Sequence, residues 1–413
     1  MGEFFDQPMK NRKTRWGEGA CAALMLLLAA PCWAANGQIK LGQRNIPLTI
    51  TNSGSYVLTE SVTNGSGSAI QVAANNVTLD LNGYAIKGNR TSFSSAISVF
   101  EGWRGVRILN GHLEDFGRFA VGLGDFGRME RITISGCGQA VGAGEGCLIL
   151  DCQVFSNSTV DIGNPIDFGP GSIVQNVLYG DSVSKYPFDA IVEGSAGSLL
   201  SGIHVAHQAT TGACWVVQAG AGSLVAGCTV ADCRTRAGPM IGIQALFGSL
   251  VVDSAVQGIE VVNGSAVGLR ASHGAMVLRC RVNAVTSSLS QATGLYGTYG
   301  TAVSDCTITD VAGTGVEFDS MGRVVRSVSS GHAGLGYEVI RGGVVLRENH
   351  AARTSGYGYQ IRGFTSLLLL NTASRAGSGF WDFVGQTNHR AQVVSSPGMF
   401  YELRSNSWAN IRY

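Results

Sequence analysis

The chain has few charged residues, little proline and no long apolar segment beyond its first 34 residues. Only 14% of its 413 residues are charged and eight are proline, while 45% are hydrophobic. This composition excludes a disordered chain, and the absence of heptad or triplet repeats excludes a coiled coil and collagen. No segment after residue 34 approaches the roughly 20 apolar residues of a membrane-spanning helix.

The apolar residues near the N-terminus have the pattern of an export signal. A basic stretch begins at Met9, an apolar run extends from Ala20 to Ala30, and small residues precede a cleavage site near Ala34. A secretory signal has these three parts in this order. The sequence predicts a signal peptide at 1–34 and a soluble protein that is secreted or periplasmic, with no membrane span.

Charge is low overall but unevenly distributed. The first 34 residues hold four of the 29 basic and three of the 28 acidic side chains, so the remainder is neutral, which argues against nucleic-acid binding. From Arg323 to Tyr413, however, there are ten arginines, no lysine and four acidic residues. Guanidinium groups bind carboxylates through two parallel hydrogen bonds. We expect an acidic partner here, with a solvated polar face as the alternative.

Glycine is abundant, with 58 residues, and a short unit recurs along the chain. In each unit a glycine or polar residue precedes a run of alternating apolar residues. The first apolar or small residues of the units are spaced 19 to 26 positions apart: Val106, Met129, Leu148, Ile173, Leu199, Leu224, Leu250, Met276, Ala302, Val324, Val344 and Leu367. An earlier member begins at Val77.

Such units cannot bury a face alone, but they can when they stack. If every strand pairs in parallel with the same strand of the next turn, at roughly 4.8 Å, the inward side chains form one core. The sequence therefore predicts an all-β, right-handed parallel β-helix of about 12–13 coils. We place an N-terminal cap at 35–63, the β-helix domain at 64–386 and an aromatic C-terminal cap at 387–413.

Four cysteines test this register, because they share one position, four residues after the start of their unit: Cys152, Cys228, Cys280 and Cys306. Val177 and Ile203 fill the same position in two intervening units, so it should face inward, where free cysteine packs as a small hydrophobe. A disulfide bond between cysteines of adjacent turns, which lie within the Cα separation that such a bond tolerates, remains an alternative. The cysteines lack the spacing and histidine partners of a zinc site, so we predict no metal and no other cofactor.

The repeat, the segment Asn75-Asn-Val-Thr-Leu-Asp-Leu-Asn-Gly and the Gly-Thr-Gly-Val at Gly313 to Val316 resemble exported bacterial right-handed parallel β-helix proteins of the pectate-lyase-like superfamily. The resemblance covers roughly residues 50 to 390. It implies a polysaccharide ligand in a groove along the solenoid. Of the catalytic segments typical of polygalacturonases, only one similar to Gly-His-Gly occurs, at Gly331 to Gly334, which argues against their hydrolase mechanism.

Candidate catalytic residues were sought in columns down the stacked turns. Eight or nine residues after the starts of the C-terminal units come the predicted catalytic residues Asp310, His332 and Arg353. Carboxylate and imidazole suit acid–base chemistry, and arginine can neutralise a uronate carboxylate. Predicted substrate-binding residues lie in the same Arg-rich units: Arg347, Tyr357 and Arg375. A second candidate column consists of Asp181, His207 and Asp232.

These columns have a purely structural alternative, since Asp is common where a strand ends and a turn begins. Two functions therefore remain open. The first is an exported protein that binds and modifies uronate-containing, acidic polysaccharide as a lyase or epimerase. The second is a non-catalytic surface or adhesion protein that uses the β-helix as a rigid scaffold.

Overall fold

The computed structural model describes residues 37–90, 94–157, 165–182, 190–362 and 365–383, and the backbone of three short strands near the C-terminus. The signal peptide predicted at 1–34 and most of the C-terminal cap predicted at 387–413 lie outside the described residues. The one helical segment among those described is a 3-10 turn, Gln43–Asn45. Everything else that is regular is β-strand.

The described strands, from Ile39 onward, form two parallel sheets. The longer sheet consists of Ile39–Leu41, Gly54–Leu58, Val62–Thr63, Val77–Asp80, Ala85–Lys87, Arg107–Glu114, Arg128–Ser135, Leu148–Leu150, Gln153–Phe155, Ile173–Gln175, Leu178–Gly180, Leu199–Ser201, His204–Ala206, Ala209–Thr210, Leu224–Ala226, Thr229–Thr235, Leu250–Val252, Ala255–Val261, Met276–Leu278, Arg281–Ser287, Thr301–Ser304, Thr307–Val311, Gly322–Val325, Val328–Ser330, Val344–Arg347, His350–Ala352, Leu367–Leu369, Thr372–Ser374, His389–Arg390, Val393–Val394 and Asn410–Arg412.

The shorter sheet takes one strand from each turn. It consists of Leu48–Ile50, Ile70–Val72, Ile97–Val99, Phe119–Leu123, Gln139–Ala143, Ile166–Phe168, Ala190–Gly194, Cys214–Ala219, Met240–Ala245, Ala266–Ala271, Ala292–Gly297, Thr314–Phe318, Tyr337–Val339, Tyr357–Ile361 and Gly379–Phe383.

The architecture is a right-handed parallel β-solenoid of about 13 turns, and the fold prediction is confirmed. A parallel connection between neighbouring strands is right-handed for the same steric reason as the strand twist. The segment predicted as the N-terminal cap already contains strands, and these pair with the following turn, as Ile39–Leu41 does with Tyr56–Leu58. The domain boundaries at 64 and 386 stay predictions.

The turn shape comes from residues with left-handed backbone at five-residue intervals. In one turn these are Gly222, Gly227 and Asp232, with φ of 66°, 61° and 50°. In this turn each of the three left-handed residues is followed by a buried residue: Ser223, Cys228 and Cys233. Glycine, Asn and Asp tolerate positive φ best, which explains the abundance of glycine and the Asp residues at strand ends.

The repeat cysteines face the core, as their shared position predicts. Cys152, Cys228, Cys280 and Cys306 are all at most 2% exposed, and Val177 and Ile203 in the same column are 1% exposed. All eight cysteines among the described residues are buried free thiols. Burial raises the pKa of Cys228 to about 11, so this column behaves as hydrophobic packing.

In each turn, the strand of the shorter sheet packs closely against the second strand that the turn contributes to the longer sheet. Glycines on the shorter sheet make this close approach possible. At Gly294 a Cβ atom would overlap Cγ2 of Ile308 and lie 2.6 Å from the carbonyl oxygen of Gly315. Both neighbours belong to the paired core and cannot swing away. The glycine at this place therefore sets the thickness of the solenoid.

We predict that Gly294→Ala lowers stability by about 1–3 kcal/mol, the usual cost of overpacking a core. The matched control is Gly227→Asn, because Gly227 has nothing within 4 Å of its would-be Cβ and Asn176 already adopts positive φ in the same column. The measurement is the urea midpoint of each variant. Equal midpoints for the two variants would contradict the proposed close approach.

Candidate functional site

The two candidate columns predicted from the sequence are one column in the structure. Strand pairing aligns them as a single row of corner residues, all with positive φ. This corner column consists of Asp115, Gly136, Ser156, Asp181, His207, Asp232, Gly258, Ala284, Asp310, Gly331, Arg353 and Arg375. Asp and Gly are frequent in it because they tolerate the left-handed backbone.

His332 does not belong to this column, because strand pairing places Gly331 there and His332 one residue further along. Its side chain is only 3% exposed. Nδ1 accepts a hydrogen bond from the Val311 amide at 3.3 Å, and Nε2 lies 2.8 Å from Oγ of Ser329, which donates to the Gly336 carbonyl. Burial lowers the pKa of His332 to about 4. This imidazole is a neutral, hydrogen-bonded core group.

The other predicted residues do not converge on one site. Asp310 and Arg375 are exposed corner residues, and Arg353 contacts Oγ of Ser330 at 3.1 Å. His207 lies 4.0 Å from Asp232 with both side chains mostly exposed. Arg347 is paired with the adjacent Glu348, and Tyr357 lies half-buried on the shorter sheet.

Four of the seven arginines described between Arg323 and Arg375 form ion pairs. Arg326 forms two hydrogen bonds with Asp305, at 2.7 and 2.9 Å. Arg341 pairs with Asp319 at 3.1 Å, and Arg347 with Glu348 at 2.7 Å. Such exposed pairs contribute little energy each, but they leave these guanidinium groups compensated. They do not form an open anion-binding surface.

A different row of outward side chains combines an arginine, a tyrosine and several carboxylates. The outward-facing residues of the shorter sheet are aligned by strand pairing from one end of the solenoid to the other. This groove column consists of Thr49, Gln71, Ser98, Gly122, Gly142, Asp167, Glu193, Gln218, Gln244, Arg270, Tyr296, Glu317, Glu338, Gln360 and Asp382.

Two adjoining depressions lie over the C-terminal part of this column. One, of ≈ 260 Å³, is lined by Arg270, Tyr296 and Glu317 among others. The next, of ≈ 390 Å³, is lined by Glu317, Glu338 and Arg362 among others. Because Glu317 lines both, the two form one shallow groove along the solenoid axis.

Three consecutive rungs of this groove form the Arg270 cluster, which consists of Arg270, Tyr296 and Glu317. Arg270 places its guanidinium carbon 5.6 Å from the centre of the Tyr296 ring. Its Nε is buried and has no hydrogen-bond partner among the described residues. Burial, with the nearby Asp319 and Glu317 charges, raises the pKa of Tyr296. The phenol is therefore protonated at neutral pH.

Glu317 and Glu338 are neighbours with different environments. Burial is the main cause that raises the pKa of Glu317, and the charges of Glu338 and Asp319 add to it, although Thr293 donates a hydrogen bond to Oε2 at 3.0 Å. Glu338 instead has Nη2 of Arg362 at 3.2 Å. Neighbouring carboxyls held in unlike environments are typical of acid–base sites.

Sequence reasoning missed the groove column because it started each unit on the longer sheet. A signal was nevertheless present: Gln244, Arg270 and Tyr296 each lie six residues before the start of the next unit. The spacing alone does not say which outward column borders a groove, and a depression also lies over the corner column at Asp232, Gly258 and Ala284.

Two further findings concern the described residues as a whole. They contain no group of three or more His, Cys, Asp or Glu side chains placed to hold a metal ion. None of them belongs to a helix with the length and hydropathy of a membrane span.

Comparison with known proteins gives a likeness of fold. No protein-family model matches the chain, and no curated protein matches it either. Among solved structures, the A-module of Azotobacter vinelandii mannuronan C-5 epimerase AlgE4 has a TM-score of 0.41 and 11% identity, over 82% of this chain and 91% of that one. The AlgE6 A-module has a TM-score of 0.36 and 12% identity, over 84% and 91%.

A tailspike protein mutant of E. coli bacteriophage HK620, in complex with a pentasaccharide, is also similar. Its TM-score is 0.38 at 11% identity, and the match covers 89% of this chain and 75% of the tailspike chain. Values this low assign no activity.

We predict that His332→Gln leaves ligand binding unchanged and removes a pH dependence of stability. In the native state the imidazole stays neutral down to about pH 4, whereas the unfolded state protonates near 6.5. The wild type therefore loses roughly 3 kcal/mol as pH falls from 6.5 to 4, and the variant loses less. Gln208, which directly follows the corner residue His207, is buried in the position that His332 occupies after Gly331, so glutamine fits.

The measurement is urea unfolding between pH 4 and 7. A variant with the same pH slope as the wild type would contradict the buried, neutral state of His332.

Proposed function

We propose that this protein binds a uronate-containing polysaccharide along the groove column and modifies it at the Arg270 cluster, as a lyase or an epimerase. The observation that carries the proposal is the guanidinium of Arg270, half-buried in the groove with an unpartnered Nε among the described residues and stacked on Tyr296, with Glu317 lining the same depression. The chain would act after export, as its N-terminal pattern predicts.

The shape of the groove suits an extended polymer. Successive rungs of a parallel sheet are about 4.8 Å apart, a spacing close to the length of one sugar ring. Each turn therefore offers one outward side chain per sugar. Glutamine, carboxylate and hydroxyl groups in the column supply the hydrogen bonds that sugar hydroxyls require.

Charge in the groove favours a carboxylate as the ligand of Arg270. Arg362 is paired with Glu338, and burial raises the pKa of Glu317 above its ordinary value. Arg270 has no ion-pair partner within 4.0 Å among the described residues. A uronate carboxylate would compensate this charge and satisfy the buried Nε–H.

The same cluster holds the groups that proton abstraction requires. Glu317, once ionised, takes the proton from the carbon next to the sugar carboxylate, and Arg270 stabilises the negative charge that develops there. Tyr296 donates its phenolic proton, either to the leaving glycosidic oxygen in a lyase or to the opposite face of the carbon in an epimerase. Both reactions conserve protons and need no redox partner.

Replacing the guanidinium should weaken polysaccharide binding. We expect Arg270→Ala to raise the Kd for a bound uronate polymer by about 10- to 100-fold, the effect of losing a charged hydrogen bond. Calorimetry with polygalacturonate, alginate and hyaluronan measures it. The matched control is Arg353→Ala, which removes an exposed arginine from the corner column.

If Arg353→Ala weakens binding and Arg270→Ala does not, the site lies in the corner column instead. If none of the polymers binds to the wild type, the non-catalytic scaffold becomes the better hypothesis.

The pH profile should report on Glu317. We expect kcat/KM to fall as pH drops through the raised pKa of Glu317, so that the acid limb lies above the ordinary value of 4.5 for a glutamate. Glu317→Gln should reduce kcat by about 10²- to 10⁴-fold. Tyr296→Phe, which keeps the ring beside Arg270, should lower kcat while KM changes little.

Absorbance of unsaturated products measures lyase activity, and deuterium incorporation from heavy water measures epimerisation. An acid limb that persists unchanged in an active Glu317→Gln variant would exclude this carboxyl as the base.

A further inference from the structure

A second cleft lies on the same face, over the N-terminal part of the groove column. It has a volume of ≈ 420 Å³, and its floor is formed by Gly122 and Gly142. Phe100 and Trp103 form its walls. The Arg270 cluster contributes nothing to it, since five rungs of the column separate Gly142 from Arg270.

The glycines of the floor are not required by the backbone. Neither has a positive φ, and a Cβ atom at Gly122 would meet only ordinary contacts at 3.9 Å. At Gly142 it would meet the ring of Phe119 at 3.3 Å, a neighbour that could shift. A strand glycine without a conformational reason is typical of a place where a ligand approaches the sheet closely.

The walls come from an insertion at one corner. Val99 and Gly105 are six positions apart, whereas the equivalent Leu123 and Phe126 of the next turn are three positions apart. The longer corner is tightened by a hydrogen bond from the Trp103 amide to the Phe100 carbonyl at 3.2 Å. It keeps Phe100, which is 42% exposed, and Trp103, which is 36% exposed, at the edge of the glycine floor.

The charges around this cleft disfavour an anion. Glu101 and Asp125 line it, and Asp167 follows Gly142 on the next rung. The described lining residues include no lysine or arginine. A carboxylate placed here would face the like charges of Glu101 and Asp125, whereas an uncharged sugar ring can stack its C–H groups on the electron-rich aromatic faces.

We infer that this cleft is a second subsite, which binds a neutral sugar ring of the same polysaccharide whose carboxylate is bound by Arg270. The inference rests on the proposed function, because it assumes a polymer lying in the groove column. It also deepens that function by naming the substrate class. A polymer with a carboxylate on every sugar would place a charge in the acidic cleft, so the substrate is a heteropolysaccharide that combines uronate with neutral sugars.

Chain length separates this subsite from the Arg270 cluster. Five rungs correspond to about 24 Å, which a tetrasaccharide cannot span while a dodecasaccharide can. We expect Trp103→Ala to weaken binding of a hyaluronan dodecasaccharide, which alternates uronate and N-acetylhexosamine, by about 5- to 10-fold. Binding of the tetrasaccharide should not change. Arg270→Ala should weaken binding of both.

Two further variants sharpen the test. Gly142→Asn, which fills the floor, should reproduce the loss for the long oligosaccharide. Phe247→Ala removes an exposed aromatic from another corner and should change neither affinity. Calorimetry gives each Kd, and near-ultraviolet circular dichroism confirms that every variant is folded.

Each outcome bears on one claim. If Arg270→Ala weakens binding but Trp103→Ala leaves the affinity for the dodecasaccharide unchanged, the second subsite is excluded and the proposed function stands. If the wild type binds polygalacturonate of equal length more tightly than hyaluronan, the neutral-sugar inference is overturned. If Arg270→Ala has no effect on either length, the proposed function itself fails.

Discussion

Hydrogen bonding between successive turns is the constraint on which the rest of the molecule depends. Parallel pairing holds each residue about 4.8 Å from the same residue of the next turn, so a choice made at one position is repeated as a column. Core, corner and groove positions form three kinds of column with different chemistry. Cys228, Asp232 and Gln244 belong to one turn and illustrate all three. Function in such a fold is a property of a column rather than of a local motif.

The corners show how this constraint also produces misleading patterns. A corner residue has positive φ and needs Gly, Asn or Asp, so acidic side chains accumulate there for conformational reasons. At another corner of the turn, arginines pair with such acids, as Arg279 does with Asp253 at 2.7 Å. The corner column that the sequence marks as a site is likewise an exposed row with several charged residues. Backbone geometry accounts for its acidic residues, and its role as a site stays a prediction.

The fold could be predicted because every unit repeats the same approximate spacing and the same inward-facing apolar positions. The position shared by the repeat cysteines shows this. The proposed groove site could not be predicted, for two physical reasons. A shift of one residue in the unit that starts at Val324 moved His332 into a column where strand pairing places Gly331, and one residue separates an exposed corner from the core. In addition, burial of Glu317 and the unpartnered Nε of Arg270 depend on contacts between turns, which spacing alone does not reveal.

Charged side chains are unevenly distributed along the groove column, and its two ends differ in charge. Within the described column the only guanidinium is that of Arg270, while carboxylates stand on both sides, at Asp167 and Asp382. A groove that binds a uniformly charged polymer would repeat a cationic side chain at the spacing of the sugars. Each carboxylate of the ligand that lacks a cationic partner costs binding energy. One cation, flanked by acids and followed by a glycine floor with aromatic walls, instead matches a ligand whose charge is sparse. If the proposed polysaccharide lies in this column, its binding depends on the order of its sugars as well as on their presence.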